Sequence, residues 1–367
     1  MGAARGRRGP EPRSRPKPSL GLRATMTTMR RPRGRSVLLS AGLFTLLGAS
    51  AAGPVLAHGP VPADPPTLLG LVFGWTLEPA VLLPLLSVAI AWIWIVRRID
   101  RLHPASPVPR RRSVAFLGGL AVIAIALMSG IDTYDTTLFS VHMVQHLLLT
   151  LVAAPLLALG APITTLLRVA TPNVRRTVIL PILHSRLLRI LSFPVVAWLI
   201  FAGVMWGTHF SPIFNASLED PLVHDLEHTL YLAAGLLFWW PAVGLDPSPW
   251  RMPHPVRAMY VFLQMPQNTF LAVTILNSSV PLYPHYATLI RPWGPTALQD
   301  QQIAGGLMWL CGDLLFLTAM GGIIAGWMLH EKRHEAALDR RVDRERAAIR
   351  IRETRLAERL AEERDGR

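Results

Sequence analysis

The chain has 367 residues, 51% hydrophobic and only 16% charged, against about 25% charged in a typical soluble domain. Its charge sits at the ends: residues 1–36 hold 11 basic and 1 acidic residue, and residues 331–367 hold 12 basic and 10 acidic. The apolar middle argues against an ordinary soluble enzyme, the net charge of +14 is mostly leader and indicates no nucleic-acid partner, and a single Cys excludes an intramolecular disulfide, a CxxC redox pair and a Cys-rich zinc module.

The predicted elements begin with a Pro, Arg and Gly rich leader, then an apolar run from Val37 to Leu47 and a small-residue ending at Val55-Leu56-Ala57. This order of a basic region, an apolar core and a V-x-A ending reads as a signal peptide over 1–57, and the alternative is an uncleaved first membrane helix. Residues 58–76 form an outer N-terminal segment. Seven segments near the roughly 20 residues that a bilayer demands follow, at 77–96, 113–130, 138–159, 188–208, 224–244, 256–276 and 303–328. Backbone groups in lipid must be satisfied within the segment, so each is expected to be helical.

The basic residues of the connecting loops alternate by side. Loop 97–112 carries Arg97, Arg98, Arg101, Arg110, Arg111 and Arg112, loop 160–187 carries Arg168, Arg175, Arg176 and Arg186, and Arg251 and Arg257 flank the third such loop. Loops 131–137, 209–223 and 277–302 contain only Arg291. The positive-inside rule then makes the Arg-rich loops cytoplasmic and puts the mature N-terminus outside. The expected fold is an all-α integral membrane protein, with seven spans in a domain over 77–330 and a cytoplasmic C-terminus. Residues 331–367 read as a charged cytoplasmic tail helix. A weak apolar stripe at Leu338, Val342, Ile349 and Leu356 could pair with a partner helix, and a merely solubilising tail is the alternative. Gly118-Gly119, Gly305-Gly306 and Gly321-Gly322 are expected to let helices approach closely.

Ionisable residues inside a membrane are costly, and here they are grouped. The third segment contains His142-Met143-Val144-Gln145-His146, and the i,i+4 spacing puts both imidazoles on one helix face. Measured from Asp135 by helical rise, His142 lies about 10 Å deep and His146 about 16 Å. The fifth segment repeats the device with His224-Asp225-Leu226-Glu227-His228. Met128, Asp132, Met205 and His209 fall at the same level, and His285 lies in an outer loop. Gln264-Met265-Pro266-Gln267-Asn268 sits in the sixth segment, where it could satisfy backbone groups freed by a proline kink. Asp313, about 15 Å into the seventh segment, needs a partner such as a His or a cation.

Imidazole with thioether suits copper, and thioether favours its cuprous form. The candidate metal residues are therefore His142, His146, His224, His228, Asp313 and Met143. Competing readings remain open on the same residues: interhelical hydrogen bonds for the histidines, gap filling for the methionines, and axial ligation of haem by paired histidines. His224 to His228 also fits the H-x-x-E-H pattern of one zinc protease class, with Glu227 as general base, but without any third-ligand context.

In these residues the chain resembles the seven-span CtaG-type cytochrome c oxidase assembly factors. The resemblance rests on His142 to His146 followed by Gly160-Ala161-Pro162, on His224 to His228, on Gln264 to Asn268, on Leu282-Tyr283-Pro284-His285-Tyr286, and on Asp300-Gln301-Gln302 leading to Gly305-Gly306-Leu307-Met308-Trp309. It covers about residues 67–330. It implies a non-enzymatic bacterial plasma-membrane protein needed to build active haem-copper oxidase, handling copper for an oxidase subunit. A haem-binding membrane oxidoreductase and a copper permease without an oxidase partner are the alternatives. The family shares its name with an unrelated single-span copper chaperone that uses a Cys pair, which this chain lacks. The leader and the charged tail lie outside the resemblance.

Overall fold

A computed structural model describes residues 61–366, and among them there is no strand. The leader over 1–57 lies outside the described residues. A short helix α1 (Leu68–Phe73) is capped by Thr67, whose hydroxyl accepts from Gly70 N at 2.9 Å. Pro79 then occupies the first turn of α2 (Pro79–Leu102), where its missing N–H costs nothing. The Asp100 carboxylate accepts from Val108 N at 2.8 Å and closes the turn into α3 (Arg110–Met128). Ser129 caps α4 (Gly130–Tyr134).

The third apolar segment is one continuous helical stretch with a fault in the middle: α5 (Phe139–Leu147), a π-helical turn (Leu148–Ala153) and α6 (Ala154–Leu159). Pro155 explains the fault. In the widened turn Ala154 N bonds back to Leu149 O, so Thr150 O would next look to residue 155, which has no N–H. The indole of Trp239 donates to Thr150 O instead, at 2.8 Å.

Beyond the left-handed Ala161 (φ 54) come α7 (Pro162–Val169), α8 (Pro172–Val174), a second π-helical turn (Arg175–Ile179), α9 (Leu180–Leu183) and α10 (Arg186–Leu191). Helices α11 (Pro194–His209) and α12 (Pro212–Glu219) meet at a 69° bend. Asp220 caps α13 (Pro221–Val243) by accepting from Leu222 N at 2.8 Å. After α14 (His254–Phe262), α15 (Gln264–Leu276) and α16 (Pro284–Thr288), a capping box between Thr296 and Gln299 starts α17 (Ala297–Asp365).

Two sets of contacts define the ends of the bundle. At the arginine end, Arg168 donates to Ser106 O, Asp246 accepts from Ile163 N and Thr164 N at the start of α7, and Trp250 donates to Arg189 O. At the histidine end, Thr76 N donates to Met128 O, Tyr134 to Asp64 O, Arg291 to Thr137 O and Tyr286 to Asp135 O. Between them lies a core built on Phe139, Phe214, Tyr231, Phe238, Trp239 and Phe316. Gly235 on α13 lets that helix close on the π-helical turn, because an added Cβ would stand 3.1 Å from Ala154 Cβ and 3.3 Å from Thr150 O.

The all-α membrane class stands, but the expected count of seven spans does not. Among the described residues, four helical stretches are long and apolar enough to cross a membrane, Pro79–Leu102, Arg110–Tyr134, Phe139–Val169 and Ala297–Leu360, or up to five if the bent α11–α12 pair is one span. The reasons are local. Helix α11 has 16 residues, about 24 Å of rise, short of a hydrocarbon core of about 30 Å. Helix α13 is long enough, but His224, Asp225, Glu227 and His228 make its first turns polar. The sixth segment is cut at Leu263 into pieces of 9 and 13 residues.

Two other expectations change. Segment 160–187, expected as a loop, folds largely into short helices, because Pro162, Pro172 and Ser185 each start one. Of the glycine pairs, only Gly119 and Gly305 face close neighbours; Gly118, Gly306, Gly321 and Gly322 look onto open space. The tail over 331–365 is helical, continuous with α17, and its residues 331–360 are almost all exposed.

Candidate functional site

The site is built where α5 and α13 lie side by side at the histidine end. The start of α5 has a weak local signal, since its N-cap, Leu138, has no side-chain acceptor. Asp300 on α17 supplies one from 161 residues away: its carboxylate accepts from Phe139 N at 2.6 Å and from Ser140 Oγ at 2.5 Å. A carboxylate at a helix N-terminus also opposes the helix dipole favourably. One turn further on, His142 and His146 project on the same face, as their spacing requires, and both are buried.

The four predicted histidines come together. His142 Nε2 and His146 Nε2 stand 2.9 Å apart. Ring centroids are 5.4 Å apart for His142 and His224, 6.2 Å for His142 and His228, 5.8 Å for His146 and His228, and 4.2 Å for His224 and His228. Ligating atoms of His142, His146 and His228 all lie within 4.8 Å of one another, and so do those of Asp135, His224 and His228. Two imidazole nitrogens each about 2 Å from one metal ion stand roughly 3 Å apart, so the His142 and His146 separation fits two corners of one coordination sphere.

Residues around the histidines fix their tautomers. Gln145 donates to Ala126 O at 3.0 Å and to the Asp132 carboxylate at 3.3 Å, which sets its amide the other way round toward α13. Its Oε1 therefore accepts from His228 Nε2 at 3.0 Å, and Nδ1 of His228 carries the lone pair. Such second partners orient metal-ligating imidazoles in known sites. His224 Nε2 faces Asp135 Oδ2 at 3.1 Å.

Four acidic residues stand near the cluster. Glu227 is buried on α13 with an oxygen 3.7 Å from His142 Nε2, and neither of its oxygens accepts a hydrogen bond. Asp132 and Asp135 stand at the mouth, held by Gln145 and by Thr136 N respectively. Glu78, outside the spanning stretch of α2, has its carboxyl pushed above the usual range, first by burial and then by the charges of Asp225 and Asp135. Carboxyl groups of Glu78, Asp132, Asp135 and Asp225 thus gather on the same side of the cluster.

Asp313 does not join the histidines. It accepts from Thr269 Oγ1 at 2.7 Å and from Asn268 Nδ2 at 3.3 Å, which ties α17 to α15. Asn268 also donates to Met308 O at 3.1 Å, so its amide bridges helices rather than serving the kink at Pro266. Met143 is buried beside His146 and lines a small chamber together with it. His285 donates its backbone N–H to Asn215 Oδ1 and places its ring on Thr136 O, outside the cluster.

The candidate metal set leaves out four contributors: Asp135, Gln145 and Glu227 around the cluster, and His209 behind it, although the sequence already puts His209 at that level and Glu227 between two of the histidines. Glu227 stands at i,i+3 from His224 and so had to share its face, a signal available in the spacing. Asp135 and Gln145 act across helices, and spacing along one segment gives no sign of that.

Residues 90–330 match the family described as cytochrome c oxidase caa3 assembly factor (Caa3_CtaG). The chain belongs to this family. It is also 28% identical over 287 residues to uncharacterized proteins of Mycobacterium bovis and Mycobacterium tuberculosis, and 26% identical over 288 residues to one of Mycobacterium leprae. Each alignment covers 76% of this chain and 43% of the relative, so the chain spans less than half the length of the curated relatives it matches. No solved structure matches it. The Caa3_CtaG match takes in the whole histidine cluster, Asp300 and Asp313.

Proposed function

We propose that this assembly factor holds copper at the outer face of the bacterial plasma membrane and passes it to a subunit of a haem-copper oxidase. One observation carries the reading: three imidazoles converge beside a buried carboxylate, Glu227, that accepts no hydrogen bond. A buried carboxylate without donors is costly, and a bound cation among the imidazoles relieves it. Imidazole-rich sites bind copper tightly among the first-row divalent ions, and thioethers nearby favour the cuprous form.

Direct contact between the imidazole rings leaves no slot for a porphyrin plane, which favours a bare ion over haem. The acidic mouth formed by Glu78, Asp132, Asp135 and Asp225 draws cations toward the cluster. His224 stands at that mouth on Asp135, and His142 and His146 lie behind it. An ion can advance by exchanging one ligand at a time. No bond of a substrate is made or broken, so the role is that of a carrier rather than an enzyme.

Deleting the protein is expected to abolish most active haem-copper oxidase while a copper-free quinol oxidase keeps working, with partial rescue by added copper. Oxidase activity and oxidase copper content, measured in the deletion strain, check this. Normal values for both would sink the assembly role and leave a permease.

The positive-inside rule supports one orientation for this bundle. The arginine end and the charged tail face the cytoplasm and the histidine end faces outward. A reporter active only in the cytoplasm should therefore work when fused after Arg112 or Arg186 and fail after Glu219. The opposite pattern would put the histidines on the wrong side for delivery.

A further inference from the structure

Behind the histidine cluster the bundle leaves a small chamber of about 20 Å³ among α5, α11, α13, α15 and α17. That is room for one water-sized guest. Three thioethers, of Met143, Met205 and Met308, line it, together with His146, His209 and the Tyr231 ring. All three methionines are buried.

The two histidines differ from ordinary buried imidazoles. His209 Nδ1 lies 2.7 Å from Met205 O, and a carbonyl only accepts, so the proton sits on Nδ1 and the lone pair on Nε2. That Nε2 is buried and has no hydrogen-bond partner. His146 presents Nε2 to His142 and keeps a buried Nδ1 that also has no partner. Orphaned imidazole nitrogens beside thioethers are a soft donor set with nothing to donate to, and soft donors select the cuprous ion.

We propose that this chamber is a second, softer position for the cuprous ion, held by His209 Nε2 and the thioethers of Met143, Met205 and Met308. The inference rests on the copper reading above and extends it inward. His146 lines the chamber and also faces His142, so it stands between the two positions, which serve as alternatives for a single ion. Movement between them is ligand exchange around that ring: copper–nitrogen bonds to the cluster give way to copper–sulfur bonds, and no electron is transferred.

X-ray absorption of the full-length protein, loaded anaerobically with one equivalent of cuprous ion, tests this. The parent should show a sulfur shell around copper. Met143→Leu and Met205→Leu, which conserve volume, should each diminish that shell while copper stays bound to nitrogen. His209→Asn, whose amide still donates to Met205 O but has nothing in place of Nε2, should diminish it as well. A nitrogen-only shell in the parent, or a sulfur shell indifferent to all three changes, would overturn the chamber and leave the histidine site standing. A parent that binds no cuprous ion would overturn both.

Discussion

His142→Ala and His228→Ala are each expected to weaken copper binding on the order of 100-fold or more, since loss of a mere supporting partner already costs about 10–100-fold. The double change should lose little beyond either single one. His142 and His228 have ligating atoms within the same 4.8 Å set, and residues that share one site are coupled, so their effects do not add. Titration of purified protein with cuprous ion reads this directly. Abundance in the membrane should stay near the parent level, because interhelical polar contacts in membranes average about 0.6 kcal/mol. If the histidines only pack helices together, the pattern inverts: abundance falls and copper per remaining molecule is unchanged.

Asp300→Ala should do what those histidine changes do not. The carboxylate is buried and satisfies Phe139 N and Ser140 Oγ at the start of α5. Removing it leaves two donors without partners at a cost of about 1–3 kcal/mol each. The expected result is a clear drop in thermal stability in detergent and in membrane abundance, with copper per folded molecule little changed. Asp300→Asn keeps one acceptor oxygen and should lose about half as much. Equal stability of Asp300→Ala and parent would show that α5 starts without help from α17.

These two experiments separate what the residues declare from what only the folded chain shows. The i,i+4 spacings of His142 with His146 and of His224 with His228 announce shared faces, because helical geometry is local. That α5 and α13 then face each other depends on Gly235 meeting Ala154 and Thr150, a contact between distant segments. Met205 and His209 have the same i,i+4 spacing and belong to the same assembly. Their level in the membrane is legible from the sequence, but that they meet Met143 and His146 depends on how α11 packs against α5.

The span count failed for a related reason. Length and apolarity identify straight, uniform spans, whereas the bend at Ser211, the break at Leu263 and the polar first turns of α13 adapt the helices around the buried site. In segment 160–187 the charge dominates the sequence pattern, whereas Pro162 and Pro172, each at the first position of a helix, set its local structure. Asp313 alone calls for a partner such as a His or a cation because no hydroxyl partner can be seen from one segment; Thr269 is 44 positions away.

The widened turn at Leu148–Ala153 sets an angular phase. Its effect is that of one extra residue in the helix, and each residue of an α-helix turns the chain by about 100°. Everything before it, including His142 and His146, is therefore indexed by about that angle against α6, which packs on α3 and α13. Removing one residue there would straighten the helix and leave its inner half in place. The two imidazoles would then swing off α13, and the cluster would be dismantled without any ligand having been changed.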